Sequence, residues 1–257
     1  MKMGHLTRGM DVYAQQFRVR YSETGPNGLL KPVQVFQYFQ DAAGEHAYEM
    51  GVSGLHLRPR NLAWVILQYQ VKFLGYPRWN QTVYLKTWRH AERNLYEIRT
   101  YEIRDEQGQL LTEGKSVWVM IDTRRKRPVR LKNNMPPGLM TGAEPAGNSY
   151  AEIPALSKPE FEQIYRIRRR DLDFNGHVNN AVFIEWALET GPELVVLHLL
   201  PCEIEVNFLG DVGYGDTIKS QAQSLTNDTM PIFLYRISDN LNDHEKTRLR
   251  ISWKQFC

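Results

Sequence analysis

The sequence lacks the features that define membrane proteins and disulfide-stabilised proteins. No apolar run approaches the ~20 residues that a membrane-spanning helix needs, and the first ten residues contain no apolar segment of the secretory type. Only two of the 257 residues are cysteines, Cys202 and Cys257, so there is no disulfide framework, and no Cys/His spacing indicates zinc. We therefore expect a cytoplasmic protein, because a reducing compartment is the simplest one for such a chain.

A strong charge of one sign is also absent. The net charge is +3, from 32 basic and 29 acidic residues, and the apolar content of 42% is that of a globular protein with a full core. Basic side chains do cluster at 124–127 and at Arg166, Arg168, Arg169 and Arg170. Such clusters are most often solvated surfaces, and the alternative is a docking patch for an acidic partner. No aromatic-interleaved nucleic-acid motif accompanies them, which favours a protein partner.

Apolar periodicity predicts a strand and then a long helix near the start of the chain. Tyr13 to Tyr21 alternates in the manner of a strand. Pro32 is suited to a first helical turn, and apolar residues then recur every three or four positions as far as Met50. Gly51 and Gly54 are expected to end this helix.

Four long antiparallel strands are predicted next, and the series then recurs. The strands of the first half are predicted at 62–74, 82–89, 95–104 and 110–122. A fully apolar run within the first of them, Trp64 to Leu67, predicts burial on both faces. The second half is predicted to contain a strand at 164–170, a helix at 180–190, and strands at 202–209, 216–224, 230–238 and 245–256. The segment 133–157, rich in Pro, Gly, Ala and Asn, is the predicted linker.

The two halves also align residue by residue, which indicates a duplication. Arg18-Val19-Arg20 matches Arg166-Ile167-Arg168, and Asn27-Gly28 matches Asn175-Gly176 at the same offset of 148 (166 − 18). Further on, Val71-x-Phe73-Leu74-Gly75 matches Val206-x-Phe208-Leu209-Gly210 at an offset of 135 (206 − 71). Repeats of this length are tandem domains rather than a solenoid, so we predict domains at 11–132 and 158–257.

The second copy carries three polar side chains at alternate positions just before its helix: Asp173, Asn175 and His177. Alternate side chains of an extended segment share one face, so a carboxylate, an amide and an imidazole are predicted to converge. A helix start also offers unpaired backbone N–H groups that can hold a developing negative charge. The alternative is a polar turn that caps the helix, with His177 satisfied within the loop.

Comparison of the two copies separates residues kept for chemistry from residues kept for structure. The aligned pairs are Asp173 with Gly25, His177 with Leu29, and Asp211 with Tyr76. Ionisable groups that occur in only one of two copies favour a functional site over a structural role. Asn175 aligns with Asn27, so a purely structural turn role remains open for it.

The motif Asp173-x-Asn175-x-His177-Val178-Asn179-Asn180, set between a strand and a helix and preceded by a degenerate copy of the same unit, resembles the acyl-acyl carrier protein thioesterases. The resemblance covers residues 11–257 and implies an α+β fold of two tandem hot dog domains, each a helix wrapped by an antiparallel β-sheet. With no plastid transit segment before the first strand, the chain resembles a bacterial member. The implied activity is hydrolysis of fatty acyl-acyl carrier protein in fatty acid biosynthesis, with no metal or other cofactor.

The resemblance also assigns a second acidic position. The family places a Glu after the next strand, followed in plant members by a Cys, and these positions here are Asp211 and Val212. Hydrolysis without a Cys nucleophile is therefore implied, with Asp211 and His177 orienting and deprotonating a water molecule.

The remaining roles and the substrate follow from the same resemblance. Asn175 and backbone N–H groups near Val178 are expected to stabilise the oxyanion, and Asp173 is expected to fix the orientation of its neighbours. The acyl chain is expected to occupy an apolar tunnel supplied by the first copy. Its expected lining comprises Phe36, Phe39, Ala43, Met50, Trp64, Leu67 and Tyr69.

The implied partner is the acidic acyl carrier protein, docked on the arginine clusters. No nucleic acid and no membrane span are expected, and the chain could form a homodimer. Alternatives of the same fold are an acyl-CoA thioesterase and a dehydratase, and an alternative of another class is a non-catalytic acyl-binding module. Hydrolysis of carrier-protein and CoA thioesters at equal chain length distinguishes the enzymes, and ligand binding without turnover identifies the module.

Overall fold

The computed structural model describes residues 5–8, 12–136, 139, 152–225 and 230–256. Most of the predicted linker, together with Cys257, therefore lies outside the described residues. Among the described residues, every helix is either too short or too polar for a transbilayer segment. The chain divides into two compact units, one of Met1–Gln68 with Phe73–Tyr150 and the other of Tyr69–Lys72 with Ala151–Cys257.

The first unit is an antiparallel sheet with one long helix. Its elements are β1 (His5–Arg8), β2 (Val12–Arg18), α1 (Pro32–Glu49), α2 (Gly54–Leu57), β3 (Leu62–Phe73), β4 (Thr82–Glu92), β5 (Tyr96–Arg104), β6 (Leu110–Asp122) and β7 (Arg127–Pro128). The strands run in the order β1-β2-β4-β5-β6-β3, and β7 pairs with β6. All five strands predicted for the first half are present, as β2 to β6, and the predicted long helix is confirmed.

Helix α1 forms where the sequence predicts it, for the reasons predicted. Pro32 occupies its first turn, where the missing backbone N–H costs nothing. Its apolar stripe is buried, and Phe36 and Phe39 are fully buried. The helix ends at Glu49, and Gly51 takes a φ of +71° that favours glycine.

The second unit repeats the plan with a shorter helix. Its elements are β8 (Phe161–Arg166), α3 (Asn180–Leu188), α4 (Glu193–His198), β9 (Leu200–Phe208), β10 (Thr217–Ser224), β11 (Ile232–Asp239) and β12 (Glu245–Lys254). The strand order is β9-β12-β11-β10-β8, and all these pairings are antiparallel. Helix α3 packs on this sheet, where Trp186 stacks on Tyr165 of β8 at 5.7 Å between ring centroids.

Several details differ from the sequence predictions. The strand predicted at 164–170 ends at Arg166, and the one predicted to reach Tyr21 ends at Arg18. In each copy the next residues form a 3₁₀ turn instead, closed by the carboxylate of Glu23 or Asp171, which accepts a backbone N–H three residues earlier.

Three further expectations were wrong or incomplete. Helix α3 ends at Leu188, two residues before the predicted end, and the short helices α2 and α4 were not predicted. Val65 is 36% exposed, so the apolar run of β3 is not buried on both faces. An apolar run alone does not determine which faces of a strand are covered.

Backbone hydrogen bonds confirm the alignment of the two halves. The N–H of Leu30 donates to the carbonyl of Pro77 at 2.8 Å, and the N–H of Val178 donates to that of Val212 at 3.4 Å. These pairs reproduce both offsets, 148 (178 − 30) and 135 (212 − 77). The same offsets relate three more pairs of bonds: Val19 to Gln81 with Ile167 to Asp216, Asn80 to Val19 with Gly215 to Ile167, and Gly75 to Leu111 with Gly210 to Lys246. The copies thus share their framework as well as their order of elements.

The Phe39 ring of α1 is closely packed against β5 and β6. Phe39 stacks on Tyr101 of β5 at 4.1 Å between ring centroids. A Cβ at Gly114 of β6 would lie 2.5 Å from the Phe39 ring. Glycine at 114 therefore creates the space that Phe39 fills.

Gly114→Ala is expected to lower the free energy of unfolding by about 1–3 kcal/mol, because the added methyl would lie closer to the Phe39 ring than van der Waals contact allows. Gly44→Ala is the matched control, since a Cβ at this helical position meets nothing within 4 Å. It should raise the free energy of unfolding by about 0.5–1 kcal/mol. Chemical denaturation measures both, and equal effects of the two substitutions would contradict this description of the interior.

Candidate active site

The segment that carries Asp173, Asn175 and His177 is a closed turn, not an extended strand. Its ends are joined by a bridge between Leu172 and Val178, and the Asp173 N–H donates to the His177 carbonyl at 2.7 Å. The prediction that these side chains converge because they share one face of an extended segment is therefore wrong, since the segment is not extended. The side chains of Asp173 and Asn175 meet because the chain folds back on itself, whereas the His177 ring contacts Asp211.

The Asp173 carboxylate holds this turn from inside. Its Oδ1 accepts the backbone N–H of Asn175 at 2.8 Å and that of His177 at 3.2 Å. Gly176 completes the turn with a φ of +81°, in the region that favours glycine. Asp173 thus fixes where the side chains of Asn175 and His177 begin.

His177 and Asp211 form the contact with the clearest chemical meaning. Nδ1 of His177 lies 3.1 Å from Oδ2 of Asp211, and their side chains are 56% and 72% exposed. Asp211 lies in the loop after β9, and the bond from Val178 to Val212 joins this loop to the turn before α3. The predicted proximity of these two residues is what the structure shows.

Backbone donors near Val178 are already used. Val178 donates to Val212, the His177 N–H to Asp173, and the Asn179 N–H to the Asp171 carbonyl. Asn179 also caps α3 by accepting the Ala181 N–H at 2.9 Å. The expectation that N–H groups around Val178 hold an oxyanion is therefore wrong for His177 and Asn179, and the Val178 N–H already makes a long contact, at 3.4 Å.

Asn175 retains a donor that can serve the substrate. Its Nδ2 lies 3.4 Å from Asp173 Oδ2, a long contact, and the amide carries two N–H groups. The residue is exposed. Its amide group is thus the remaining polar donor of the predicted set.

The first copy forms the same backbone turn but lacks the ionisable side chains. The carbonyl of Leu29 accepts the Gly25 N–H at 2.9 Å, and Gly28 has a φ of +73°. Leu29 stands where His177 would be, and Tyr76 stands where Asp211 would be. Tyr76 is buried and stacks on Phe73 at 5.1 Å. The ionisable groups are therefore additions to a turn that folds without them.

The apolar residues predicted to line a tunnel fall into separate surroundings. Phe36 and Phe39 are fully buried beneath α1. Met50 belongs to a second apolar cluster, against which Trp64 packs. The remaining three residues, Ala43, Leu67 and Tyr69, are buried or half-buried. Of these, Tyr69 belongs to the second unit.

Sequence reasoning missed a buried charged cluster in the first unit. Arg89, Glu97 and Arg99 are at most 6% exposed and contact one another, and Arg99 donates to His46 of α1. A signal was present, because Glu97 and Arg99 alternate with the core residue Tyr101 on one face of β5.

Exposed aromatic residues on the two loops of the site were also missed. Phe174 is 65% exposed and Tyr214 is 71% exposed. In the part of the chain that the structure describes, no three His, Cys, Asp or Glu side chains are grouped as metal ligands would be.

Comparison with known proteins identifies the class. The family models described as "Acyl-ACP thioesterase N-terminal domain" and "Acyl-ACP thioesterase C-terminal domain" match residues 10–137 and 155–255. Two such domains in tandem define a double hot dog protein of the thioesterase class. The chain belongs to the acyl-ACP thioesterase family.

Individual relatives agree with this assignment. A dodecanoyl-[acyl-carrier-protein] hydrolase from Cinnamomum camphora is 29% identical over 72% of this chain and 52% of its own length. An acyl-ACP thioesterase structure from Bacteroides thetaiotaomicron has a TM-score of 0.83 and 20% identity, covering 95% of this chain and 98% of that one. A 12:0-ACP thioesterase structure from Umbellularia californica has a TM-score of 0.84 and 23% identity, covering 97% and 99%. The chain spans about half the length of the curated relatives it matches.

Asp173→Ala is expected to lower the free energy of unfolding by about 1 kcal/mol, because two backbone N–H groups lose their acceptor. Asp173→Asn keeps an oxygen at that position and should cost less. Thermal unfolding of the two variants beside the wild-type protein measures the difference. Equal losses for Ala and Asn would contradict the role of Asp173 Oδ1 in holding the turn.

Proposed function

We propose that this chain hydrolyses fatty acyl-acyl carrier protein to a free fatty acid, using an activated water molecule and no cysteine nucleophile. The observation that carries the proposal is the His177–Asp211 contact, which the second copy has and the first replaces with Leu29 and Tyr76. Membership of the acyl-ACP thioesterase family supports the same reaction class.

The contact also supports separate roles for its two members. A neutral imidazole with its proton on Nδ1 donates to Asp211 and keeps a lone pair on Nε2. His177 Nε2 is then the general base, and Asp211 orients the ring and stabilises it when protonated.

The reaction follows from these roles. Nε2 of His177 takes a proton from water while the oxygen attacks the thioester carbonyl carbon. The tetrahedral intermediate collapses with cleavage of the carbon–sulfur bond, and the imidazolium returns its proton to the leaving thiolate. The Asn175 amide donates to the oxyanion, and Asp173 positions Asn175 and His177 through the turn.

Cysteine chemistry is not needed in this scheme. Val212 follows Asp211 and is buried, and its carbonyl serves the framework. The described cysteine, Cys202, donates to the Ser252 carbonyl, and burial raises the pKa of its thiol. A thiol with a raised pKa is a poor nucleophile at neutral pH.

The division of labour between the copies completes the proposal. We assign the acyl tunnel to domain 11–132, the catalytic residues to domain 158–257, and a linker role to 133–157. Two of the three relatives named above, those from Cinnamomum camphora and Umbellularia californica, act on twelve-carbon chains according to their names, and no chain length is carried over to this protein. A cytoplasmic location and a homodimer remain predictions from the sequence.

We also propose that the acidic carrier protein docks beside the catalytic turn. Arg168, Arg169 and Arg170 are exposed and directly precede Asp171, which begins the segment that ends in Asn179. Charge complementarity of this kind steers association and is weakened by salt.

His177→Ala is expected to lower kcat for a fatty acyl-carrier substrate by about 10²–10⁴, since the general base is lost. Leu29→Ala is the matched control at the equivalent position of the first copy, and it should keep kcat within severalfold. Steady-state hydrolysis at saturating substrate measures both. Wild-type turnover by the His177→Ala variant would refute the proposed function.

The double substitution Arg169→Glu and Arg170→Glu is expected to raise KM for acyl-carrier substrate about three- to tenfold at low salt. Hydrolysis of the acyl-CoA of equal chain length should change less, because CoA lacks the acidic protein surface. The pair Arg124→Glu and Arg125→Glu, from the other candidate docking cluster, makes the same change in net charge in the first unit and should leave KM nearly unchanged. If that pair raises KM as much, docking beside the catalytic turn is wrong.

A further inference from the structure

Helix α1 presents one polar side chain in an otherwise apolar inner face. Phe36, Phe39, His46 and Met50 are all buried, and His46 is the polar one, at 1% exposure. From Phe39 to His46 the helix rises by ~10 Å, at ~1.5 Å for each residue. The surroundings of an acyl chain running beneath α1 would therefore change along its path.

The side chains of the sheet that face α1 also change from aromatic to charged along this path. Phe39 stacks on Tyr101 of β5, whereas Nδ1 of His46 accepts an N–H of Arg99, two residues earlier on that strand, at 3.0 Å. Since a guanidinium can only donate, His46 is neutral at Nδ1 in this contact. Over two turns of α1, the facing residue on β5 therefore changes from the aromatic Tyr101 to the charged Arg99.

The cluster is a connected barrier of buried charge. Arg99 also contacts Glu97 at 3.3 Å, and Glu97 contacts Arg89 at 3.0 Å. Arg89 in turn donates twice to the Leu139 carbonyl, at 2.7 and 2.9 Å. Each of these charged side chains is at most 6% exposed, so separating them would leave charges buried and unpaired.

A second apolar region lies on the other side of this charged cluster. Met50, Leu57, Leu62 and Met120 belong to a buried cluster that includes Leu139, the residue whose carbonyl holds Arg89. The interior of the first unit therefore consists of two apolar regions with charge between them.

We propose that the buried cluster of His46, Arg89, Glu97 and Arg99 ends the acyl tunnel and sets the longest acyl chain that this protein accepts. A growing acyl chain gains affinity for each methylene that it buries in the Phe36–Phe39 region. A chain long enough to reach Arg99 must break the contacts of the cluster, and that loss exceeds the gain from one more methylene. His46 and Arg99 are thus specificity-determining residues, and the inference rests on the proposed function only in placing the acyl chain in this unit.

The test measures fatty acid binding, not hydrolysis, so that its failure is distinct from failure of the proposed reaction. Calorimetric titration with saturated fatty acids of graded length should show affinity rising about fourfold for each methylene up to a cut-off. In the double variant His46→Leu, Arg99→Met, one arginine remains for one glutamate, and the path to the second apolar region opens. Affinity should then rise for at least two further methylenes, about sixteenfold in all.

Arg104→Met is the matched control, because it removes an arginine from the same strand at a half-exposed position paired with Glu102. Its cut-off should equal that of the wild-type protein. A folded double variant with an unchanged cut-off would overturn the inference, as would a wild-type protein that binds no fatty acid at any length.

A measurement on the wild-type protein covers the case in which the double variant does not fold. Terminally hydroxylated fatty acids should bind more weakly than plain ones at short lengths, where the hydroxyl meets apolar lining. At the cut-off length the penalty should shrink at least severalfold, because the hydroxyl then reaches hydrogen-bonding partners in the cluster. A penalty that stays constant at every length would overturn the proposal.

Discussion

One backbone hydrogen bond, from the Val178 N–H to the Val212 carbonyl, brings the two loops of the candidate site together. It joins the turn before α3 to the loop after β9, and so it places His177 against Asp211. The first copy makes the same bond between Leu30 and Pro77. The fold therefore creates this meeting point twice, and the side chains on the two loops decide whether chemistry occurs there.

The two copies share this backbone framework but carry their charged side chains in different places. In the second, a carboxylate and an imidazole stand exposed at the meeting point, within reach of a substrate in water. In the first, a leucine and a buried tyrosine stand there, and the unusual charges lie in the interior beneath α1 instead. Exposed charged groups can exchange protons with a substrate in water, whereas buried charged groups limit how far an apolar ligand extends.

Much of this architecture could be predicted from the sequence, because a duplicated chain supplies its own comparison. The offsets between Asn27 and Asn175 and between Gly75 and Gly210 locate the equivalent turns in the sequence, and the absence of counterparts of His177 and Asp211 in the first copy marks the candidate site. Periodicity could not show that Asp173 folds the segment into a turn, since alternate positions look alike in a strand and in such a turn. Nor did it show which backbone donors near Val178 were already used, because those bonds form between distant loops.

A double-mutant cycle shows whether His177 and Asp211 act as one unit on one water molecule. Turnover of an acyl-carrier thioester would be compared for the wild-type protein, His177→Ala, Asp211→Ala and the double variant. If Asp211 acts through His177, the double variant should be within about threefold of the slower single variant. Losses that multiply, so that the double variant is slower by the product of the two single effects, would contradict the account.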